Sequence, residues 1–265
     1  MNRQRDRSAD SLVRELLRAD CADMAVRAPI AGSWEGQPFQ RPRQICFWPR
    51  TGESSSMTFA SREEAGQKLG RYLAEAGIEA DLVLGLPRGG VVVAAEVARI
   101  LRRPLDVLVV RKIGHPRHRE FAVGALADNG VIVLDTDVMK SSGVVRAELD
   151  EVIAEETERL RHYQSGFHQT GLPDLADKRI LIVDDGLATG ATTEAAVLSA
   201  KNQKAKRVVV AVPVASTNGV ERLSGVADQV ISLLTDPWFD AVGRYYEVFS
   251  QTTDEEVLAL LREQS

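Results

Sequence analysis

From about residue 58 onward the apolar residues of this chain alternate between two arrangements. One is the short, mostly apolar run: Leu82 to Leu84, Leu105 to Val110, Ile180 to Val183, the stretch RVVVAVPVAS and the stretch DQVISLL. Runs of this length bounded by polar or turn residues suit strands buried on both faces, as in a parallel sheet. The other is the helical stripe. Ser61 and Glu64 form a capping box before Ala65, Leu69, Tyr72, Leu73 and Ala76, and Gly77 closes that helix. Further stripes follow in VVVAAEVARILRR, TTEAAVLSAKN and NGVERLSGV, and Thr253 with Glu256 caps a terminal helix. The residues from Ser141 to Tyr163, dense in charge pairs, predict one long solvated helix. Only FAVGALA and VIVLD, joined across Asp128, Asn129 and Gly130, read as a hairpin. Strands alternating with helices predict an α/β fold, a doubly wound parallel sheet with one inserted β-hairpin and its ligand at the carboxyl ends of the strands.

Residues 1–57 break this rhythm. Leu12, Val13, Leu16 and Leu17 mark one short amphipathic helix, after which Trp34, Pro38, Pro42, Trp48 and Pro49 follow no period. The expected organisation is therefore an N-terminal extension over 1–57, partly irregular, and one domain over 58–265 whose aromatic segment 235–265 forms a small hood. A net charge of −5 offers no basic face for nucleic acid, so any anion site must be local. Cys21 and Cys46 lack metal-ligand spacing and read as free thiols of a reducing cytoplasm. No signal-peptide core and no run of membrane-spanning length is evident, and a cytoplasmic protein without membrane partners is expected.

The chemistry concentrates in KRILIVDDGLATGATT, residues 178–193. A buried strand delivers Asp184 and Asp185 to its carboxyl end, and small and hydroxyl residues then lead into a helix. Such a loop offers bare backbone N–H groups, hydroxyls and the positive end of a helix to a phosphate. Two acids suited to a diol beside a phosphate nest describe a ribose 5-phosphate. A single helix-capping Asp would explain neither the second acid nor the ATGATT loop. No GxxxxGKS/T loop occurs, and no GxGxxG follows a strand. A second strand, turn and helix passes through Leu86, Pro87, Arg88, Gly89 and Gly90, where Arg88 can supply bidentate donors to phosphate oxygens. The basic stretch IGHPRHRE precedes the hairpin; His115 and His118 there read as exposed residues rather than metal ligands, for want of a partner at ligand spacing.

The segment around Asp184 and Asp185 resembles the 5-phosphoribosyl 1-pyrophosphate (PRPP) signature of type I phosphoribosyltransferases. From about Phe59 to the end, the chain is similar to a bacterial subgroup of predicted phosphoribosyltransferases marked by RKIG, FAVGA, VDDGLATGATT and FDAVGRYYEVFSQTTDEEV. Its lid residues His115, Arg117, His118 and Arg119 replace the small, uncharged residues expected there. The resemblance implies that Asp184 and Asp185 bond the ribose hydroxyls. It places Ala188, Thr189, Gly190, Ala191 and Thr192 around the 5-phosphate. Pro87, Arg88, Gly89 and Gly90 then form the pyrophosphate turn, with its strained peptide bond, and Arg111 and Lys112 also meet pyrophosphate. The basic loop becomes a flexible lid and a homodimer the expected assembly.

The activity so implied is Mg²⁺-dependent transfer of a phosphoribosyl group from PRPP to a nitrogenous acceptor, a nucleobase by class, through an oxocarbenium-like state. Asp184, Asp185, Arg88 and Lys112 would carry the catalysis. Asp184 is the candidate metal ligand, partly through water, and Phe239 or Tyr245 of the hood could stack on a flat acceptor. The alternative is a regulatory protein of the same fold that senses PRPP or a nucleotide without turnover. The identity of the acceptor is not written in the motifs.

Overall fold

The computed structural model describes residues 45–46, 58–167 and 173–264. Among the described residues nine strands form two sheets: β1 (Ile45–Cys46), β2 (Leu82–Gly85), β3 (Leu105–Val107), β4 (Val110–His115), β5 (His118–Ala127), β6 (Ile132–Leu134), β7 (Arg179–Val183), β8 (Arg207–Ser216) and β9 (Gln229–Asp236). The larger sheet has the order β1-β9-β8-β7-β2-β3 and every pair in it is parallel. The helices are α1 (Arg62–Glu75), α2 (Gly89–Leu101), α3 (Thr136–Ser142), α4 (Asp150–Phe167), α5 (Ala191–Asn202), α6 (Thr217–Ser224) and α7 (Asp254–Glu263). The fold is α/β with helices on both faces of a parallel sheet. No helix among the described residues is long and apolar enough to cross a membrane.

The unbroken apolar runs are explained by two cores. Alternate strand residues point to opposite faces. Leu82, Leu84, Ile180, Ile182, Val208 and Val210 join one cluster with Ala196 and Ala200 of α5 and Leu223 of α6. Val83, Leu181, Val183 and Val209 join the other with Leu69 and Leu73 of α1 and Val93 and Val97 of α2. Neither face meets water, so polar alternation has no place in these strands.

Several expectations need correction. The run Leu105 to Val110 is not one parallel strand: β3 ends at Val107, and β4 begins the second, antiparallel sheet, ordered β4-β5-β6. Asp128 makes that break, because its carboxylate accepts the Val109 N–H at 3.2 Å and its own N–H donates to the Val109 carbonyl. The predicted helix from Ser141 to Tyr163 is divided into α3, a 3₁₀ turn at Arg146–Leu149, and α4. Gly143 takes a left-handed conformation, φ 72°, and ends α3 there. The basic stretch at Gly114 to Phe121 is the tip of the β4–β5 ribbon, with His115 opposite His118 and a bulge beside them, rather than an open loop. His115 is buried, not exposed; its ring nitrogen accepts the Arg117 N–H at 3.0 Å and its ring lies against His118 and Phe121. Within the stretch 1–57, Ile45–Cys46 pairs with Ile231 and Ser232 along the sheet edge. The short helix read around Leu12 and the positions of Trp34 and Trp48 lie outside the described residues.

Burial pushes the Asp128 carboxyl up to about 6, against the pull of the N–H groups of Val109 and Asn129. A carboxyl raised from 3.8 contributes stability that is present below pH 4 and is lost as pH rises through 6. Asp128→Asn, which keeps an acceptor but cannot ionise, should therefore remove a loss on the order of 3 kcal/mol between pH 4 and 7. Urea unfolding of both proteins across that range measures it; parallel pH profiles would contradict the assignment.

Candidate active site

The chain reverses its direction of winding between β2 and β7. From β2 it crosses to β3 on one side, and from β7 it proceeds to β8 and β9 on the other. A crevice opens at the carboxyl ends of two strands that part in this way. Gly85 pairs with Val183 in register, and the Leu86 N–H donates to the Val183 carbonyl at 3.0 Å. The two motifs read from the sequence, PRGG and DDGLATGATT, thus leave adjacent strands side by side.

Contact between them is close enough to require glycine. A methyl group on Gly89 would overlap Asp185 Oδ2 and lie 2.6 Å from Arg62 Nε. On Gly90 it would lie 2.7 Å from Asp184 Oδ1 and 2.9 Å from the Asp184 Cα. The Pro87–Arg88 peptide bond is cis. Arg88 stands at the start of α2, with its guanidinium half exposed and Nη1 3.9 Å from Asp254 Oδ1 at the start of α7.

Asp185 accepts from Arg62 Nε at 2.7 Å, both side chains being largely buried, and its backbone carbonyl accepts from the Tyr246 hydroxyl at 2.5 Å. Asp184 Oδ1 accepts the Asp185 N–H at 2.8 Å. Desolvation first, and then the neighbouring Asp185 charge, raise the Asp184 carboxyl well above its ordinary value; Lys112 and Arg62 act against that rise. Asp185 is also raised by burial, with Arg62 the main opposing influence.

The loop after the acids is braced from outside. Leu187 donates to the Val214 carbonyl at 2.9 Å and accepts from the Ser216 N–H, while Ser216 Oγ donates to the Ala188 carbonyl at 2.5 Å. Gly190 caps α5 in the left-handed region, φ 78°. Among the described residues none accepts from the N–H groups of Thr189, Gly190, Ala191 or Thr192. Ala188 and Thr189 are exposed, and Ala191 and Thr192 half-buried. An unclaimed row of donors at the positive end of a twelve-residue helix is electropositive and suited to an anion.

The basic pair on β4 divides, since successive strand residues face opposite ways. Arg111, paired in register with Leu126, turns to α4, where its guanidinium meets Glu156 at 2.9 Å and overlies Tyr163. Lys112 is opposite Ala125, on the face toward α5, and acts on Asp184 through its charge. Both line a cleft of about 450 Å³ with Arg119, Arg159, Glu155 and Glu156. In the segment after β9, Phe239 and Tyr245 stack on each other at 5.3 Å, and the Tyr245 hydroxyl donates to Asp236. The aromatic residue touching the acids is instead Tyr246, with Phe249 beside it.

The sequence gives no place at the acids to Arg62, or to Tyr246 and Phe249 of the aromatic tail. A signal existed for the first: Arg62 opens α1, where a cation opposes the helix dipole, while Glu63 and Glu64 beside it suit it. A cation in that place calls for a partner outside the helix.

A phosphoribosyl transferase domain matches residues 59–247. Two proteins of Mycobacterium tuberculosis, Rv0571c and MT0597, whose names assign them provisionally as phosphoribosyl transferases, are each 44% identical over 205 residues. That alignment covers 77% of this chain and 46% of theirs, so the chain spans about half the length of these relatives. The crystal structure of TT1426 from Thermus thermophilus superposes with a TM-score of 0.67 at 43% identity, over 79% of this chain and 100% of that one.

Because backbone atoms of Asp184 and Val183 face Gly90, Gly90→Ala should destabilise the fold by about 1–3 kcal/mol. Gly166→Ala, in α4 with nothing within 4 Å, should be neutral or stabilising by up to about 1 kcal/mol. Denaturant midpoints of the two variants decide the matter, and equal midpoints would contradict the close packing of the two motifs.

Proposed function

The chain belongs to the phosphoribosyl transferase domain family, and from that premise we propose that it transfers the 5-phosphoribosyl group of PRPP to a nitrogenous acceptor and releases pyrophosphate. The observation that carries this reading is the continuity of Asp184 and Asp185 with a row of unclaimed N–H groups from Thr189 to Thr192. In it the carboxylates take the ribose hydroxyls, and Ala188, Thr189, Gly190, Ala191 and Thr192 surround the 5-phosphate. Pro87, Arg88, Gly89 and Gly90 lie beside the acids, where the pyrophosphate of the same molecule would extend. Lys112 supplies positive charge there. Arg111 joins it only by exchanging Glu156 for pyrophosphate.

In the transfer, the bond from the anomeric carbon to the pyrophosphate oxygen breaks and a bond from that carbon to the acceptor nitrogen forms, with a proton leaving the nitrogen. The protein's work is positioning and charge stabilisation. Asp185 faces the positive charge growing on the ribose ring, and the basic ribbon tip, with Arg117 and Arg119, covers the centre against water. A nucleobase remains the acceptor class we favour, with the stacked Phe239 and Tyr245 in the hood as its neighbours. The resemblance adds a homodimeric, cytoplasmic protein.

Mg²⁺ fits the residues present. Among the described residues no group of three His, Cys, Asp or Glu side chains gathers to hold a metal by itself. An oxygen-only site completed by water and substrate oxygens needs just one or two carboxylates, and Asp184 is placed to provide one. When bound, the ion neutralises charge on the leaving pyrophosphate.

Asp184→Asn and Asp185→Asn should each weaken PRPP binding by about 1.5–3 kcal/mol in calorimetry, because each loses charge-assisted bonds at nearly unchanged size. Purines, pyrimidines and small amines, offered with PRPP and Mg²⁺ and followed by pyrophosphate release, identify the acceptor. Unaltered PRPP affinity in both variants would sink the ribose assignment. Tight PRPP binding without pyrophosphate release for any acceptor would favour a sensor of the same fold.

A further inference from the structure

We propose that Arg62 is a positioning residue for the ribose: it locks the Asp185 carboxylate in the orientation that receives the sugar hydroxyls and ties that acid to the C-terminal segment. The inference deepens the phosphoribosyl reading and rests on it. Arg62 lies 123 residues away from Asp185 in the chain, yet its guanidinium is held on three sides. Nε donates to Asp185 Oδ2 at 2.7 Å, Nη1 donates to the Ser250 carbonyl at 2.7 Å, and the guanidinium carbon sits 3.9 Å from the centre of the Phe249 ring. A planar group with two hydrogen bonds and a stacked face has no remaining rotation, so the carboxylate bound to it has little. Side-chain exposures of 11% for Arg62 and 15% for Asp185 remove most of the competing water.

Two further observations separate this role from ordinary scaffolding. At the first position of α1, Arg62 opposes the helix dipole, so the helix itself gains nothing from its charge. Gly89 of the PRGG turn packs directly on the ion pair, with Arg62 Nε 2.6 Å from where a methyl group would stand. One side chain therefore registers three parts: the ribose acid, the turn assigned to pyrophosphate, and residues 246–250, whose Tyr246 also bonds the Asp185 carbonyl. The 5-phosphate loop is outside this set, being braced by Val214 and Ser216.

That division sets the test. Wild type, Arg62→Gln and Arg62→Lys are titrated calorimetrically with inorganic phosphate and with ribose 5-phosphate, and thermal melts check folding. Inorganic phosphate reads the loop alone; the ratio of the two affinities reads the ribose contacts. Arg62→Gln should leave phosphate affinity within about twofold and lower the ratio by at least about tenfold. Arg62→Lys, whose ammonium can reach Asp185 but cannot also hold Ser250 and lie flat on Phe249, should recover part of the ratio. A folded Arg62→Gln with an unchanged ratio overturns the proposal. Should that variant not fold, the ratio in Arg62→Lys decides: a reduced one supports the role and a wild-type one overturns it. If wild type itself binds ribose 5-phosphate no more tightly than inorganic phosphate, the phosphoribosyl reading falls first and this one with it.

Discussion

Two adjacent carboxylates at the end of a buried strand are a costly arrangement, and much of the surrounding structure serves to hold them. Each loses water, and the charge of Asp185 adds to the resistance of Asp184 to ionisation. What offsets this comes mainly from distant parts of the chain, Arg62 from the first turn of α1 and Lys112 from the second sheet, with the neighbouring Asp185 N–H added at the strand end itself. Room for them exists because Gly89 and Gly90 have no side chains to occupy it. A ligand bearing hydroxyl donors, or a cation beside them, relieves the same repulsion, so the pair is poised toward such a ligand.

The fold was legible because it is written in local physics. Strands buried on both faces read as unbroken apolar runs, and β8 coincides with the run chosen for it, Arg207–Ser216. Helix starts were legible where capping chemistry marks them, as Thr253 and Glu256 do for α7. What failed were features that depend on distant partners. Asp128 holds the break after β3 by taking the N–H of Val109, nineteen residues earlier, and nothing near Val109 announces this. His115 looked exposed in a basic stretch, yet the ribbon folds it beneath its own turn.

The site shows the same limit. Asp184, Asp185 and the loop to Thr192 are contiguous, so their type and order could be read directly. Arg111 and Lys112 could be read only as a pair, whereas the pleat sends one to Glu156 and the other toward the acids. Phe239 and Tyr245 stand out in the sequence as aromatics and stack on each other, whereas Tyr246, one residue on, is the side chain that reaches Asp185. Spacing along a strand or turn decides direction, and in irregular segments no period exists from which to infer it.

Charge on the β4–β5 ribbon follows a different logic from charge at the acids. Arg111, Arg117 and Arg119 face Glu156, Glu148 and Glu155 on α4 and the turn before it. Two of these pairs are substantially exposed, where an ion pair contributes at most about 1 kcal/mol, while Glu156 is buried and bound by both Arg111 and Arg159. The tip can therefore exchange its partners for a more concentrated negative charge at small cost, but its base cannot. A ribbon anchored at Arg111 and held at Arg117 and Arg119 only by exposed pairs can bend at its tip with little loss, which is the mechanical property that the proposed cover requires.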